Sequence, residues 1–193
     1  MNDITLDRVS KAYGNKTVLR SLTAVIPAGR VTAVKAPSGA GKTTLLRLLL
    51  GLEEPDSGTV SGVPKSCAAV FQEDRLCPGL SAEKNIKMAL GHGADTTEIR
   101  ALLAELGIAA EDAAKPAELL SGGMRRRAAI ARALLADAEL LTLDEPFKGL
   151  DTENMRRTAA VILARTASMT VVLVTHSETE AELLNAQNIL SLD

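Results

Sequence analysis

The sequence predicts an α/β fold with a mainly parallel core sheet, an antiparallel β part at its N-terminus and an inserted helical lobe. Three observations carry that prediction. Short apolar runs alternate with helix-patterned stretches along most of the chain, as in a sheet whose strands are joined by crossover helices. Several of the runs are continuously apolar, the pattern of strands covered on both faces. A long alanine-rich helical stretch, about residues 81–119, interrupts the alternation.

Taken in order, residues 4–9 alternate apolar and polar side chains, and residues 17–26 read as an antiparallel partner closed by Pro27-Ala28-Gly29. Residues 30–36 form the first buried strand. A glycine-rich turn and a helix over 42–50 follow, with Gly51 as its stop. Glu54-Pro55-Asp56-Ser57-Gly58 reads as a turn, and 67–71 as a short strand. Gly91-His92-Gly93 breaks the helical stretch, and Asp95 caps a helix over 96–106. The remainder reads as helix 123–136, strand 139–143, helix 152–165, strand 170–175, helix 178–185 and strand 188–192. The expected organisation is one domain over 1–193, with 1–72 and 119–193 as the core and its antiparallel part, and 73–118 as the inserted lobe.

A chain of 193 residues is long enough for one well-buried core. Its 46% hydrophobic and 24% charged residues suit a globular protein. A net charge of −2 gives no whole-chain signal for nucleic acid. The N-terminus lacks the basic and apolar regions of a signal peptide, and no apolar run approaches the roughly 20 residues of a membrane span. Two cysteines, Cys67 and Cys77, are too few for a disulfide framework or a metal site. A cytoplasmic protein without nucleic-acid partners is expected.

Pro37-Ser38-Gly39-Ala40-Gly41-Lys42-Thr43-Thr44 lies between a buried strand and a helix, the context that makes such a stretch a phosphate-binding P-loop. Gly39 and Gly41 let the backbone curl so that N–H groups converge on phosphate oxygens, and the helix start adds a positive dipole. Ser38, Ala40 and Thr44 share that cradle. Lys42 brings a charge to the β- and γ-phosphates, and Thr43 a hydroxyl to Mg2+. Ala36 stands where the pattern usually begins with glycine; a positive φ there would cost about 1 kcal/mol. Further on, an apolar strand ends in Asp144 and Glu145. Carboxylates at that end of a parallel strand lie where open α/β sheets bind ligands. Asp144 is placed to hold Mg2+, and Glu145 to polarise an attacking water.

With Leu120-Ser121-Gly122-Gly123, these motifs resemble, in order and essentially end to end, the nucleotide-binding subunit of ABC transporters. The resemblance implies that Tyr13 stacks on adenine and that Gln72 is the Q-loop glutamine contacting Mg2+ and water. It implies a signature motif at 120–123, a D-loop at Lys148-Gly149-Leu150-Asp151 and a switch histidine at His176. ATP and Mg2+ are the implied cofactors, with Thr43, Gln72 and Asp144 at the metal. ATP hydrolysis would rest on Glu145, His176, Lys42 and Gln72. Ser121, Gly122, Gly123 and Asp151 would close on the ATP of a second subunit, either an identical chain or a homologous ATPase. The implied partner is a membrane-spanning permease on a separate chain, which places the protein at the cytoplasmic face of the membrane.

Phe71-Gln72-Glu73-Asp74-Arg75-Leu76-Cys77-Pro78 resembles the Q-loop of nitrate, sulfonate and taurine importers. Lys35, Met124 and Lys148-Gly149 depart from the family's usual residues without removing a group that does chemistry. Two other readings compete: a non-transport ABC-type ATPase of DNA repair or translation, and an ATP-binding subunit poor in hydrolysis, the latter resting on Ala36. The one basic run, Arg125-Arg126-Arg127, spreads over different helix faces and reads as solvated or phosphate-proximal.

Overall fold

The computed structural model describes residues 2–37, 39–91 and 94–192; Ser38 and His92 fall outside them. Their strands form two sheets. The first is antiparallel: β1 (Ile4–Tyr13) lies between β2 (Lys16–Ile26) and β4 (Ser57–Ser61). The second takes β3 (Val31–Lys35), β5 (Cys67–Val70), β6 (Leu140–Asp144), β7 (Thr170–Val174) and β8 (Asn188–Ser191) in the order β5-β6-β7-β3-β8, and every pairing is parallel.

Two features differ from the sequence expectation. β1 runs four residues beyond Val9, through register shifts between Leu6 and Ala12, with Arg8 at φ 50°. Such bulges break the period-two pattern and twist the ribbon, which is why the alternation fades at Val9. The end of the expected turn, at Ser57 and Gly58, begins edge strand β4. Gly58 allows this pairing, since a β-carbon there would lie 2.3 Å from the Arg8 carbonyl.

Strand alternation on the parallel sheet feeds two cores. Leu140, Val172 and Val174 face α1 (Lys42–Leu49) and the inner face of the antiparallel sheet, with Leu45, Leu49, Leu6 and Ile26. Leu141, Leu143, Val171 and Leu173 face the other way, onto α5 (Gly122–Leu134), α6 (Thr152–Arg165) and α7 (Glu178–Leu183) through Ile130, Ile162 and Leu184. A third core joins α2 (Ala82–Leu90), α3 (Thr96–Glu105) and α4 (Ala110–Ala113) to α5 by way of Ile86, Leu102, Leu103, Ala128 and Ala131. Helix α5 therefore serves as a wall for both the sheet and the helical part. Its alanines let neighbours approach closely on either side.

Local chemistry fixes the helix ends. Ser81, Asp95, Ser121, Asp151 and Ser177 each accept a hydrogen bond from a backbone N–H of the turn they cap. Gly51, at φ +64°, closes α1, with its N–H on the Leu48 carbonyl and the Leu52 N–H on the Arg47 carbonyl. Among the described residues, no helix is long and apolar enough to cross a membrane. Because all five core strands run the same way, the segments after β3, β5, β6 and β7 emerge on one edge, and the site is built there.

Candidate nucleotide-binding site

An open cleft of about 240 Å3 lies on that edge. The P-loop contributes Gly39, Gly41, Lys42, Thr43 and Thr44; the segments after β5, β6 and β7 contribute Gln72, Glu145 and His176; and Asp144 ends β6. The loop curls because its glycines are left-handed, Gly39 at φ +82° and Gly41 at φ +93°. Gly41 is also pressed from behind. A β-carbon there would meet Val18 Cγ1 at 2.8 Å, Leu19 Cδ2 at 2.9 Å and the Val18 carbonyl at 2.9 Å, whereas one at Gly39 would meet only Lys16 Nζ, at 3.9 Å. Ala36 is not among the residues with positive φ, and its methyl packs into the first core. The strain contemplated for a missing glycine therefore does not arise. Ala40 packs, half-buried, against the same core.

Lys42 is 9% exposed, and its ammonium donates to the carbonyls of Ala36 at 2.8 Å and Pro37 at 2.9 Å. The charge is thus held in the loop against main-chain oxygens. Asp144 is 5% exposed and receives a long hydrogen bond, 3.5 Å, from the Thr43 hydroxyl. Burial pushes its carboxyl above the usual range, Glu145 adds to that, and Thr43, Lys42 and Arg126 oppose it. A buried carboxylate beside a hydroxyl is a place where a hard cation replaces lost solvation, so Thr43 and Asp144 fit Mg2+. Among the described residues no cluster of three or more His, Cys, Asp or Glu could hold a metal. A hydroxyl and one carboxylate would leave most of a cation's shell to water and phosphate.

Glu145 sits at φ 48°, held by its N–H on the Val174 carbonyl at 3.0 Å. Left-handed backbone at a non-glycine residue is strain of the kind found at functional sites. The turn aims its carboxylate at two cations or potential cations: His176 Nε2 at 3.6 Å and Lys148 Nζ at 3.5 Å. Tyr13 ends β1 beside the cleft rather than in its lining. It is 44% exposed, with its hydroxyl 3.5 Å from Thr44 Oγ1 and hydrogen-bonded to Glu53.

Ser121, Gly122 and Gly123 do not reach this cleft. They line a second cavity of about 500 Å3 with Lys148, Asp151 and Gln72, and among the described residues expected at the site Gln72 alone borders both. Ser121 Oγ accepts from Met124 N–H at 3.2 Å, starting α5. A β-carbon on Gly123 would lie 3.1 Å from Leu150 Cδ2, so the signature turn and the 148–151 loop are packed together. Asp151 accepts from the Asn154 backbone at 2.8 Å and side chain at 2.7 Å, which hold its carboxyl below the usual range.

Residues 19–148 match the family model described as ABC transporter. The chain belongs to the ABC transporter family. It is 41% identical, over 98% of its length and 78% of the relative's, to the aliphatic sulfonates import ATP-binding protein SsuB 1 of Paracoccus denitrificans. It is 38% identical to the Fe(3+) ions import ATP-binding protein FbpC 1 of Rhodococcus jostii, over 92% of its own length, and spans 56% of that relative. A dimeric bacterial ABC transporter cassette superposes with a TM-score of 0.87 at 26% identity, covering 98% of this chain and 94% of that one. A bacterial Atm1-family ABC exporter with ATP bound gives 0.88 at 25% identity, with this chain spanning 37% of it.

Of the basic run of this ABC protein, expected to be solvated or phosphate-proximal, Arg125 is partly exposed while the next two arginines are buried beside the signature cavity. Arg126 and Arg127 are 5% and 6% exposed. Arg126 donates to the carbonyls of Phe71, at 2.6 Å, and Gln72, and pairs with Asp74 at 3.3 Å. Arg127 donates to the carbonyls of Leu106 at 2.6 Å and Gly107 at 3.0 Å, and to Asn154 Oδ1 at 2.9 Å. Helix α5 thereby ties the Q-loop backbone to the signature turn. No local pattern announces this, because most of the acceptors are main-chain oxygens, as far as 55 residues away. Lys148 beside Glu145 and Glu53 beside Tyr13 are likewise contacts that no sequence motif marks.

Proposed function

We propose that this ABC protein is the ATP-binding and ATP-hydrolysing subunit of a solute importer, acting as a dimer with each ATP between the P-loop cleft of one copy and the signature cavity of the other. The observation that carries the reading is the division of the motif residues between two separate cavities of one chain. The cleft with Lys42 and Glu145 is open, and the helix start at Ser121, which suits an anion, faces elsewhere. A second copy brings the two together by symmetry.

In that arrangement the P-loop amides and Lys42 hold the phosphates. Thr43, Asp144 and Gln72 would hold Mg2+, which when bound neutralises phosphate charge. Glu145 orients a water and accepts its proton as the water oxygen bonds to the γ-phosphorus and the bridging oxygen leaves with ADP. His176, fixed near Glu145, and Ser121 from the other copy supply donors for the charge on the transferring oxygens. Loss of the γ-phosphate removes what joins the halves, and the dimer opens.

The segments 1–72 and 119–193 act as the ATPase core, and 73–118 as the lobe that meets the permease. A third cavity of about 400 Å3, lined by Leu76, Pro78, Ala117 and Glu118 next to Asp74 and Arg125, supports a docking place for a separate membrane-spanning chain at the cytoplasmic face. Leu119 is 68% exposed on the same segment. The relatives' names carry chemically unlike cargoes, aliphatic sulfonates and Fe(3+), which supports a reading in which the permease rather than this subunit chooses the solute.

The test is Glu145→Gln against wild type. Steady-state ATPase should fall by a factor of about 10²–10⁴, the range for losing a general base. The variant should run as a monomer without nucleotide and a dimer with ATP in size-exclusion chromatography. Equally low activity in both proteins and no ATP-driven dimer would overturn the reading.

A further inference from the structure

The tip of β1 is fastened to the exit of the P-loop helix. The Gly51 turn reverses the chain after α1 and delivers Glu53 beside Tyr13. One Glu53 oxygen accepts from the Tyr13 hydroxyl, and the other from Arg47 Nη1, itself on α1, at 2.9 Å. These two hydrogen bonds, Tyr13 first, pull the Glu53 carboxyl below its usual range. Glu53 is largely shielded, its side chain 20% exposed. Next door, Lys11 Nζ donates to the Glu54 carbonyl at 2.7 Å and to Asp56 at 2.9 Å, and Ala12 N–H donates to Asp56 at 2.7 Å. The backbone on either side of the contact is thus held, and only the ring of Tyr13 is left to be oriented.

We propose that Glu53 is a positioning residue for nucleobase binding: held by Arg47, it locks the ring of Tyr13 over the P-loop helix, so that base platform and phosphate loop are set by one rigid element. The inference rests on Tyr13 being the adenine platform. A half-exposed ring would otherwise lose rotational freedom when a base stacks on it, at a cost of order 0.5–1.5 kcal/mol for an immobilised side chain. Prior locking by the carboxylate removes that cost. The hydroxyl explains why tyrosine, rather than phenylalanine, suits this place.

The experiment measures the affinity of the full chain for ATP and for inorganic triphosphate, by competition against a fluorescent nucleotide. The variants are Glu53→Ala, Glu53→Gln, Tyr13→Phe and Tyr13→Ala, with thermal melts reporting folding. Glu53→Ala and Tyr13→Phe should each weaken ATP binding by about 2–10-fold, and the double variant no further, while triphosphate affinity stays at the wild-type value. Should Glu53→Ala fail to fold, Glu53→Gln, which loses the charged pair with Arg47, must weaken ATP selectively. Unchanged ATP affinity, an equal loss for triphosphate, or additive effects of the two substitutions would overturn the proposal. Tyr13→Ala separates it from the reading beneath: if that variant keeps the wild-type ratio of ATP to triphosphate affinity, the platform itself is wrong, whatever Glu53 does.

Discussion

Replacing Gly41 by alanine should damage this protein well before any chemistry is attempted. The residue caps α1 at φ +93°, and a left-handed alanine costs about 1–2 kcal/mol. Its methyl would also enter space filled by Val18 Cγ1 at 2.8 Å, Leu19 Cδ2 at 2.9 Å and the Val18 carbonyl at 2.9 Å, and overpacking of that kind costs about 1–3 kcal/mol. The total is on the order of 2–5 kcal/mol, or a fall in melting temperature of about 5–15 °C for a domain of this size. Gly39→Ala is the matched control. Its φ of +82° is also left-handed, but its methyl meets only the mobile end of Lys16 at 3.9 Å, so only the backbone cost, about 1–2 kcal/mol, applies. Differential scanning fluorimetry without nucleotide measures both. Adding Val18→Ala to Gly41→Ala should recover part of the loss and not all of it, because the Val18 carbonyl remains in the way. A Gly41→Ala protein that melts at or above Gly39→Ala would refute the steric reasoning.

Arg126→Met should leave Asp74 without its nearest cation and free the carbonyls of Phe71 and Gln72, destabilising the chain by about 3 kcal/mol in urea unfolding. Arg126→Lys should recover only part, since a compact ammonium cannot reproduce the planar fork that reaches both carbonyls and Asp74 together. Asp144→Asn should raise the melting temperature of the nucleotide-free protein at neutral pH while abolishing ATPase activity. The sign follows from burial, which holds the folded-state carboxyl above its unfolded value of 3.8. Ionising it in the fold therefore lowers stability as pH rises through the raised value, and the advantage of asparagine should vanish in melts taken near pH 4. Gly123→Ala crowds Leu150 at 3.1 Å, which a flexible leucine accommodates. It should melt within about 1 kcal/mol of wild type, still bind ATP, and lose ATP-driven dimerisation in light scattering. A normal dimer would count against the signature cavity as an interface.

Much of the fold was legible because its signals are local. Continuous apolar runs such as Leu140–Leu141–Thr142–Leu143 need burial on both faces, and caps such as Asp95 and stops such as Gly51 act within one helical turn. Strand β4 was not legible, since Ser57, Gly58 and Ser61 carry turn-like or neutral preferences. What makes them a strand is the edge of β1 lying alongside. Of the candidate site, the motifs gave Lys42, Thr43, Asp144 and Glu145 directly, and family resemblance gave Gln72 and His176; all six line one cleft. Ser38 lies outside the described residues.

The sequence alone marked the candidate site residues, because a phosphate cradle requires glycines, a lysine and a hydroxyl at fixed spacing, and spacing is visible in one dimension. Tertiary structure decided what those residues touch. It kept Ala36 out of the left-handed region, buried Arg126 against carbonyls some 55 residues away, set Glu53 beneath Tyr13, and placed the signature turn in a different cavity from the P-loop. Such contacts follow from how strands and helices stack, and stacking depends on the whole set of apolar faces at once rather than on any neighbouring stretch of chain.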